Sequence, residues 1–68
     1  MRDKIDLSLK LYRLRKEHNL TSEELADKLD LNPRTIRHYE AGTKRPSLET
    51  LFKICTFYEI TIDELIKK

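Results

Sequence analysis

The sequence predicts an all-α domain built from five short helices. Apolar residues recur at spacings of three and four along the chain, which is the period of amphipathic helices. The 68 residues include only one Gly and two Pro, and both prolines stand at predicted helix starts or links. No run of alternating β-branched residues is longer than a few positions, so the pattern indicates no strand. A chain of this length can bury one small core, and we expect residues 1–68 to form a single domain.

The first two predicted helices flank a short link. In the first, an apolar stripe recurs at i, i+4, i+7 and i+11 and ends around Asn19. The second begins near Ser22, because Thr21 is a favoured N-cap and Glu24, three positions later, can complete a capping box. It stops near Leu29. The first stripe consists of Leu7, Leu11, Leu14 and His18, and the apolar face of the second helix carries Leu25, Ala26 and Leu29.

A third helix is predicted over residues 33–41. Asp30 tolerates the left-handed backbone that a tight break requires. Asn32 followed by Pro33 starts a helix, since Asn is a favoured N-cap and Pro is favoured at the first helical position. Gly42 stands where a helix terminator belongs. The apolar face of this helix carries Ile36 and Tyr39.

Two further helices follow a basic link. Pro46 and Ser47 start the fourth helix, and Thr61 caps the fifth, which turns Leu65 inward. The predicted buried stripe of the fourth helix consists of Leu48, Leu51, Ile54, Cys55 and Tyr58. The pattern leaves four apolar side chains without an assigned place in the core: Phe52, Phe57, Ile62 and Ile66.

The outer face of the third helix carries the residues that indicate a function. Arg34 and Arg37 present guanidinium forks, which match the two acceptors on the major-groove edge of guanine. His38 lies one turn beyond Arg34 and can donate to a base or a phosphate. A short helix clamped on its apolar side fits the major groove of DNA, about 12 Å wide. The simpler alternative is a solvated charged face, which is common for Arg on a small protein.

Charge distribution supports the DNA interpretation more than net charge does. The chain carries 14 Lys and Arg against 12 Asp and Glu, so its formal net charge is only +2. Residues 31–46 hold four basic residues and one acidic residue, whereas the segments before and after them are close to neutral. The positive excess therefore lies over the third helix and the loop after it.

Four motifs carry a resemblance to a known family. They are LT-x-EELA at residues 20–26, I-x-x-YE-x-G at 36–42, RPS-x-x-TL at 45–51 and I-T-x-DEL at 60–65. Together with Leu11, Leu14 and Arg15, they resemble the Cro/cI-type (xenobiotic response element) helix-turn-helix domain, from about residue 9 to the end. The resemblance implies a compact five-helix, lambda-repressor-like DNA-binding domain with its helix-turn-helix at about residues 21–41.

Individual roles follow from the resemblance alone. The helix at residues 33–41 matches the family's recognition helix, and Arg15 and Glu40 match a frequent ion pair between the first and third helices. Positions that usually contact bases are occupied by Pro33, Arg34, Arg37 and His38. Positions that often touch the DNA backbone are occupied by Ser22, Thr35, Thr43, Lys44 and Arg45.

Three positions depart from the family pattern. Family members mostly have Gln at the position of Ser22, whose shorter hydroxyl reaches one phosphate or none. Most have Gly at the position of Asp30, so the turn here is less favourable. Pro33 removes a backbone donor at a helix start, where that donor would lack an intrahelical partner, and its ring is placed to touch a thymine methyl.

The expected function is that of a sequence-specific DNA-binding transcriptional regulator, most simply a repressor bound to a double-stranded operator. The alternative is a protein-interaction module of the same fold, such as a toxin-binding antitoxin or a transcription adaptor, with DNA binding secondary or absent. The exposed arginine face separates the two, because a purely protein-binding module has little use for it beside a basic loop.

The unassigned apolar residues suggest a hypothesis about assembly. Helix-turn-helix proteins generally gain affinity by dimerising on two half-sites. Phe57, Ile62 and Ile66, together with the C-terminal helix, would supply a weak two-fold contact in a homodimer, at least on DNA. Apolar side chains scattered over the surface explain the same residues almost equally well.

The sequence offers little support for other chemistry. The single Cys, Cys55, permits no disulfide within the chain and is expected to be a buried structural thiol. His18, His38 and Cys55 lack metal-ligand spacing, so we expect no catalysis, cofactor or small-molecule ligand. Apolar runs fall far below the ~20 residues that span a bilayer, and the N-terminus lacks the apolar core of a signal peptide. We therefore expect a cytoplasmic protein, associated with the nucleoid when bound to DNA.

Overall fold

The computed structural model describes residues 7–66, and within them the chain forms five α-helices and no strand. The helices are α1 (Leu7–Glu17), α2 (Ser22–Leu29), α3 (Pro33–Ala41), α4 (Leu48–Tyr58) and α5 (Ile62–Ile66). The prediction of an all-α, five-helix fold is confirmed. Of the predicted domain 1–68, residues 1–6 and 67–68 lie outside the described residues.

Side-chain caps start four of the helices. At α2, the N–H of Glu24 donates to Thr21 Oγ1 at 3.0 Å and the N–H of Thr21 donates to the Glu24 carboxylate at 2.8 Å, so the capping box forms. Asn32 caps α3 by accepting from the N–H of Arg34 at 2.8 Å, directly ahead of Pro33. These local bonds explain why α2 and α3 begin where the sequence predicts. The other two caps join Ser47 to Thr50 and Thr61 to Glu64.

Three helices end on a residue with left-handed backbone. Gly42 ends α3 at φ 81°, where an added Cβ would also lie 3.1 Å from Ser8 Oγ. Asp30 ends α2 at φ 58° and Glu59 ends α4 at φ 60°. In each case the N–H of the cap residue bonds back to carbonyls of the preceding turn. The tight turns therefore form even where the chain lacks Gly.

One apolar cluster holds the helices together. α3 packs against both α1 and α2, α4 packs on α2, and α5 packs against α4 and α1. Because α3 has neighbours on two sides, its inner face is fixed while its outer face stays accessible. The buried side chains are Leu11, Leu25, Ala26, Leu29, Ile36, Tyr39, Ile54, Cys55, Tyr58 and Leu65.

The predicted stripe of α4 is wrong at its first residue. Leu48 is 64% exposed, because it is the first residue of α4 and follows the exposed link after α3. Phe52, one turn later, is also exposed. Two of the apolar residues left unassigned from sequence, Phe57 and Ile62, are half-buried and pack against the core, whereas Ile66 is exposed. The start of α4 therefore exposes more apolar surface than the sequence pattern predicts.

Candidate nucleic-acid interface

The two sides of α3 have different chemistry. Ile36 and Tyr39 point into the core and are 2% and 7% exposed. Arg34, Arg37 and His38 are all exposed. Since the inner residues lock the helix against α1 and α2, the three polar side chains are carried on a rigid support. Such a support suits recognition, because the contacts depend on accurate placement.

An ion pair ties the end of α3 to α1. The Nε of Arg15 donates to Glu40 Oε2 at 2.7 Å, and its Nη2 donates to Oε1 at 2.9 Å. The remaining terminal nitrogen donates to the carbonyl of Leu20 at 2.8 Å. Hydrogen bonding to Glu40 is the main reason that the pKa of Arg15 is raised. One guanidinium thus joins α1, the α1–α2 link and α3.

A second ion pair lies at the surface and joins α3 to α2. Arg37 Nη1 is 3.5 Å from Glu23 Oε2, and the two side chains are 57% and 69% exposed. In the sequence, Glu23 appears only as part of the LT-x-EELA motif, and in the structure it lies in the first turn of α2. Its contact with Arg37 was missed, because fourteen residues separate the two and only the packing of α2 against α3 brings them together.

The ring of His38 is held by the first residue after the α3 terminator. Thr43 Oγ1 lies 2.8 Å from His38 Nδ1 and 3.3 Å from the carbonyl oxygen of the same residue. The backbone N–H of Thr43 also donates to that carbonyl at 3.1 Å. Thr43 therefore occupies the Nδ1 edge of the ring, and a contact between His38 and a ligand would be made by Nε2.

The other residues predicted to contact DNA lie in α3, at the start of α2 and in the link after α3. Among residues 7–66, the side chains of Arg34, Lys44 and Arg45 form no ion pair or hydrogen bond, and all three are exposed. Their charges remain available to a partner. The three remaining predicted positions are half-buried: Ser22 in α2, and Pro33 and Thr35 in α3.

The described part of the chain shows no second chemical centre. No group of three His, Cys, Asp or Glu side chains in residues 7–66 is placed to hold a metal ion. Cys55 is buried in the core, and burial raises the pKa of its thiol. None of the helices described is long and apolar enough to cross a membrane.

The fold and the polar outer face of α3 define a helix-turn-helix domain, with α2 and α3 as its two helices. The profile of the Helix-turn-helix family matches residues 11–65, which is most of the chain. The chain belongs to this family, in its Cro/cI-type, or xenobiotic response element, branch.

Several known proteins are similar to this chain. An uncharacterized HTH-type transcriptional regulator of Methanocaldococcus jannaschii is 44% identical over 57 residues, covering 84% of this chain and 83% of that protein. The transcriptional repressor RstR of the cryptic phage CTXphi of Vibrio cholerae is 41% identical over 59 residues, covering 87% and 53%. A crystal structure of a transcriptional regulator from Listeria innocua superposes with a TM-score of 0.83 at 34% identity, covering 91% and 58%.

The chain spans only part of the length of several relatives that it matches. The HTH-type transcriptional activator BcrR of Enterococcus faecalis is 39% identical over 62 residues, which cover 91% of this chain but 30% of that protein. The chain thus spans about a third of BcrR and about half of RstR. The domain occurs in proteins named as activators and as repressors.

Proposed function

We propose that this chain is a sequence-specific DNA-binding domain of a transcriptional regulator and that α3 enters the major groove. The observation that carries the proposal is the outer face of α3, where Arg34, Arg37 and His38 are exposed while the opposite side is buried. A helix presented in this way is the usual reading element of helix-turn-helix proteins. The family assignment supports the same function.

Base recognition is assigned to the exposed side chains and to the start of α3. Arg34 and Arg37 each present a fork that matches O6 and N7 of guanine. His38 contacts a base or a phosphate through Nε2, because Thr43 occupies the other ring nitrogen. Pro33, half-buried at the first position of α3, is placed to touch a thymine methyl.

Backbone contacts are assigned to the link after α3, to the start of α2 and to Thr35 within α3. Lys44 and Arg45 form the basic link after the helix and would neutralise phosphates on one strand. Ser22 begins α2, where backbone N–H groups also face outward, and its hydroxyl would bind one phosphate. Thr35 and Thr43 complete the set, although the hydroxyl of Thr43 already contacts His38. These contacts would set affinity, while the side chains of α3 set sequence preference.

Repression is the simplest regulatory outcome of such binding. A domain that occupies the major groove of an operator blocks the polymerase from the same DNA, and this needs no further contact. Among the relatives, RstR is named a repressor and BcrR an activator. We propose repression for this chain and a site of action at the cytoplasmic nucleoid, where its operator would lie.

We also propose that the domain binds its operator as a homodimer. The exposed Ile66 and the accessible edges of Phe57 and Ile62 would form a small two-fold contact at the C-terminal face. Such a contact is too small to hold free subunits together and would act only when two half-sites align them. Sedimentation should show a monomer in solution and two chains per operator. One chain per operator would contradict the dimer.

Protein binding is the second candidate, and the start of α4 favours it. Leu48 and Phe52 lie one turn apart and are 64% and 57% exposed, and Phe52 lines an open, mainly apolar groove that Leu29 and Phe57 also line. Exposed apolar surface of this kind is common at protein interfaces. A chain that used only this surface would bind DNA weakly or not at all, so the same experiment tests both candidates.

Selection of bound sequences from random duplexes tests the proposed function. The selected duplexes should share a short site with guanine at defined positions, and their affinity should fall steeply as salt rises, because phosphate contacts release counterions. Retention of random DNA with no preferred bases would contradict sequence-specific recognition. No salt-dependent retention at all would favour the protein-binding candidate.

A further inference from the structure

Glu23, in the first turn of α2, contacts the outer face of α3. Its carboxylate lies 3.5 Å from Arg37 Nη1, and both side chains are exposed. A carboxylate beside a surface that is proposed to approach DNA repels phosphates and so weakens binding. Its presence there therefore needs another reason. An exposed ion pair contributes little to folding stability, which excludes stability as a sufficient reason.

The N-terminal cap of α2 does not involve Glu23. An acidic residue in a first helical turn commonly stabilises the positive end of the helix. Here Glu24 already does so, because its carboxylate accepts from the N–H of Thr21 in the capping box. The carboxylate of Glu23 instead contacts Arg37 on the neighbouring helix.

The geometry of the contact leaves Arg37 able to read a base. Glu23 meets a single terminal nitrogen of the guanidinium, so the Nε and the other terminal nitrogen remain available. A bidentate contact with guanine needs two donors on one edge. A long arginine side chain loses rotamer freedom when it makes this contact, and an anchoring carboxylate reduces that loss by restricting the side chain beforehand.

We propose that Glu23 is a positioning residue that orients Arg37 for recognition of one guanine and so contributes to sequence specificity. The inference rests on the proposed DNA-binding function. The side chain of Glu23 touches no base itself. Through its contact with Arg37, however, α2 takes part in base recognition. Glu23 would weaken binding to DNA in general while strengthening the preference for one base pair.

Base-preference profiles of four variants and the wild-type chain test the inference. The variants are Glu23→Gln, Arg37→Ala, the double variant, and Asp27→Asn as a control that removes an exposed negative charge one turn along α2. Glu23→Gln and Arg37→Ala should lose preference at the same base pair, by at least about fivefold. The double variant should lose no more than Arg37→Ala does. Asp27→Asn should keep the wild-type profile.

The possible results distinguish a failure of the positioning role from a failure of the proposed DNA-binding function. If Glu23→Gln keeps the full preference for that base pair, even while it binds all sequences more tightly as Asp27→Asn would, the positioning role is wrong while the proposed function stands. If the wild-type chain shows no base preference, the proposed function fails and the role of Glu23 fails with it. Melting temperatures of Glu23→Gln and the wild type should agree, which separates positioning from a folding effect.

Discussion

The guanidinium of Arg15 and the carboxylate of Glu40 form two hydrogen bonds, of 2.7 and 2.9 Å, across the junction of α1 and α3. The two side chains are only 11% and 9% exposed. Their charges are therefore shielded from water and compensate each other, and the third arm of the guanidinium satisfies the carbonyl of Leu20. This pair holds the end of α3 against α1.

Removing one charge of this pair should destabilise the domain. Glu40→Gln leaves the Arg15 cation without its counter-charge in a mostly buried place, and we expect a loss of about 3 kcal/mol in the free energy of unfolding. Glu23→Gln breaks an exposed pair and serves as the matched control, with an expected loss below about 1 kcal/mol. Urea denaturation measures both. Equal losses in the two variants would show that burial does not distinguish the pairs.

The core prediction contrasts two apolar residues that differ in exposure. Ile36 is 2% exposed at the centre of the α3 packing, so Ile36→Ala should cost about 2 to 5 kcal/mol. Leu48→Ala should change the free energy of unfolding by less than about 0.5 kcal/mol, because Leu48 is largely exposed. Denaturant titration of the two variants checks the difference. A large loss in Leu48→Ala would contradict the observed surface position.

Two helices end on a non-glycine residue with left-handed backbone, and replacing that residue by Gly should increase folding stability. Glu59 has φ 60° and Asp30 has φ 58°, and Gly adopts this region without the steric cost of a Cβ. Because Asp tolerates the region better than Glu does, Glu59→Gly should stabilise by about 0.5 to 1 kcal/mol and Asp30→Gly by less. Thermal unfolding measures the two shifts. A destabilising Glu59→Gly variant would mean that the carboxylate has a role beyond the turn.

Alkaline pH should weaken the fold through Tyr58. Its hydroxyl is buried and, among the residues described, has no hydrogen-bond partner. Burial, reinforced by the charge of Glu40, raises the pKa of Tyr58 to about 12, and Arg15 offsets part of this. Since an unfolded chain ionises Tyr near pH 10, the contribution of Tyr58 to stability is complete below about pH 10 and is lost as the pH rises to about 12.

Tyr58→Phe tests this pH dependence. The variant should match the wild type at neutral pH within about 1 kcal/mol, because no hydrogen bond is removed. It should lose less stability than the wild type between pH 10 and pH 12. Unfolding free energies measured at several alkaline pH values give the comparison. The same alkaline loss in both proteins would assign the effect to other groups.

Local signals in the sequence determined the bounds of α2 and α3, but they do not predict contacts between helices, and the Arg15–Glu40 pair was expected from the family resemblance alone. Thr21 and Asn32 act on residues two or three positions away, so their caps are readable from sequence. The burial of Leu48 was predicted wrongly, because periodicity gives the face of a residue but not whether another helix covers it. The contact of Glu23 with Arg37 depends on the packing of two helices, for which the sequence shows no signal.

The proposed assignment of Lys44 to a phosphate predicts how its removal changes DNA affinity and the salt dependence of that affinity. Lys44 lies in the exposed link after α3 and would pair with the DNA backbone. Lys44→Ala should therefore weaken binding to every sequence and reduce the slope of log affinity against log salt by about one. Affinities measured at several salt concentrations on selected and random duplexes provide the test. A loss confined to the selected site would contradict a backbone role.

The central claim is that the outer face of α3 reads bases, and Arg34→Ala tests it most directly. The measurement is the affinity of this variant and of the wild type for a selected duplex and for random DNA at the same salt concentration. We expect the variant to lose about 1 to 3 kcal/mol on the selected duplex, to relax the preference at one base pair, and to bind random DNA nearly as well as the wild type. Equal weakening on both DNAs would contradict base reading by Arg34.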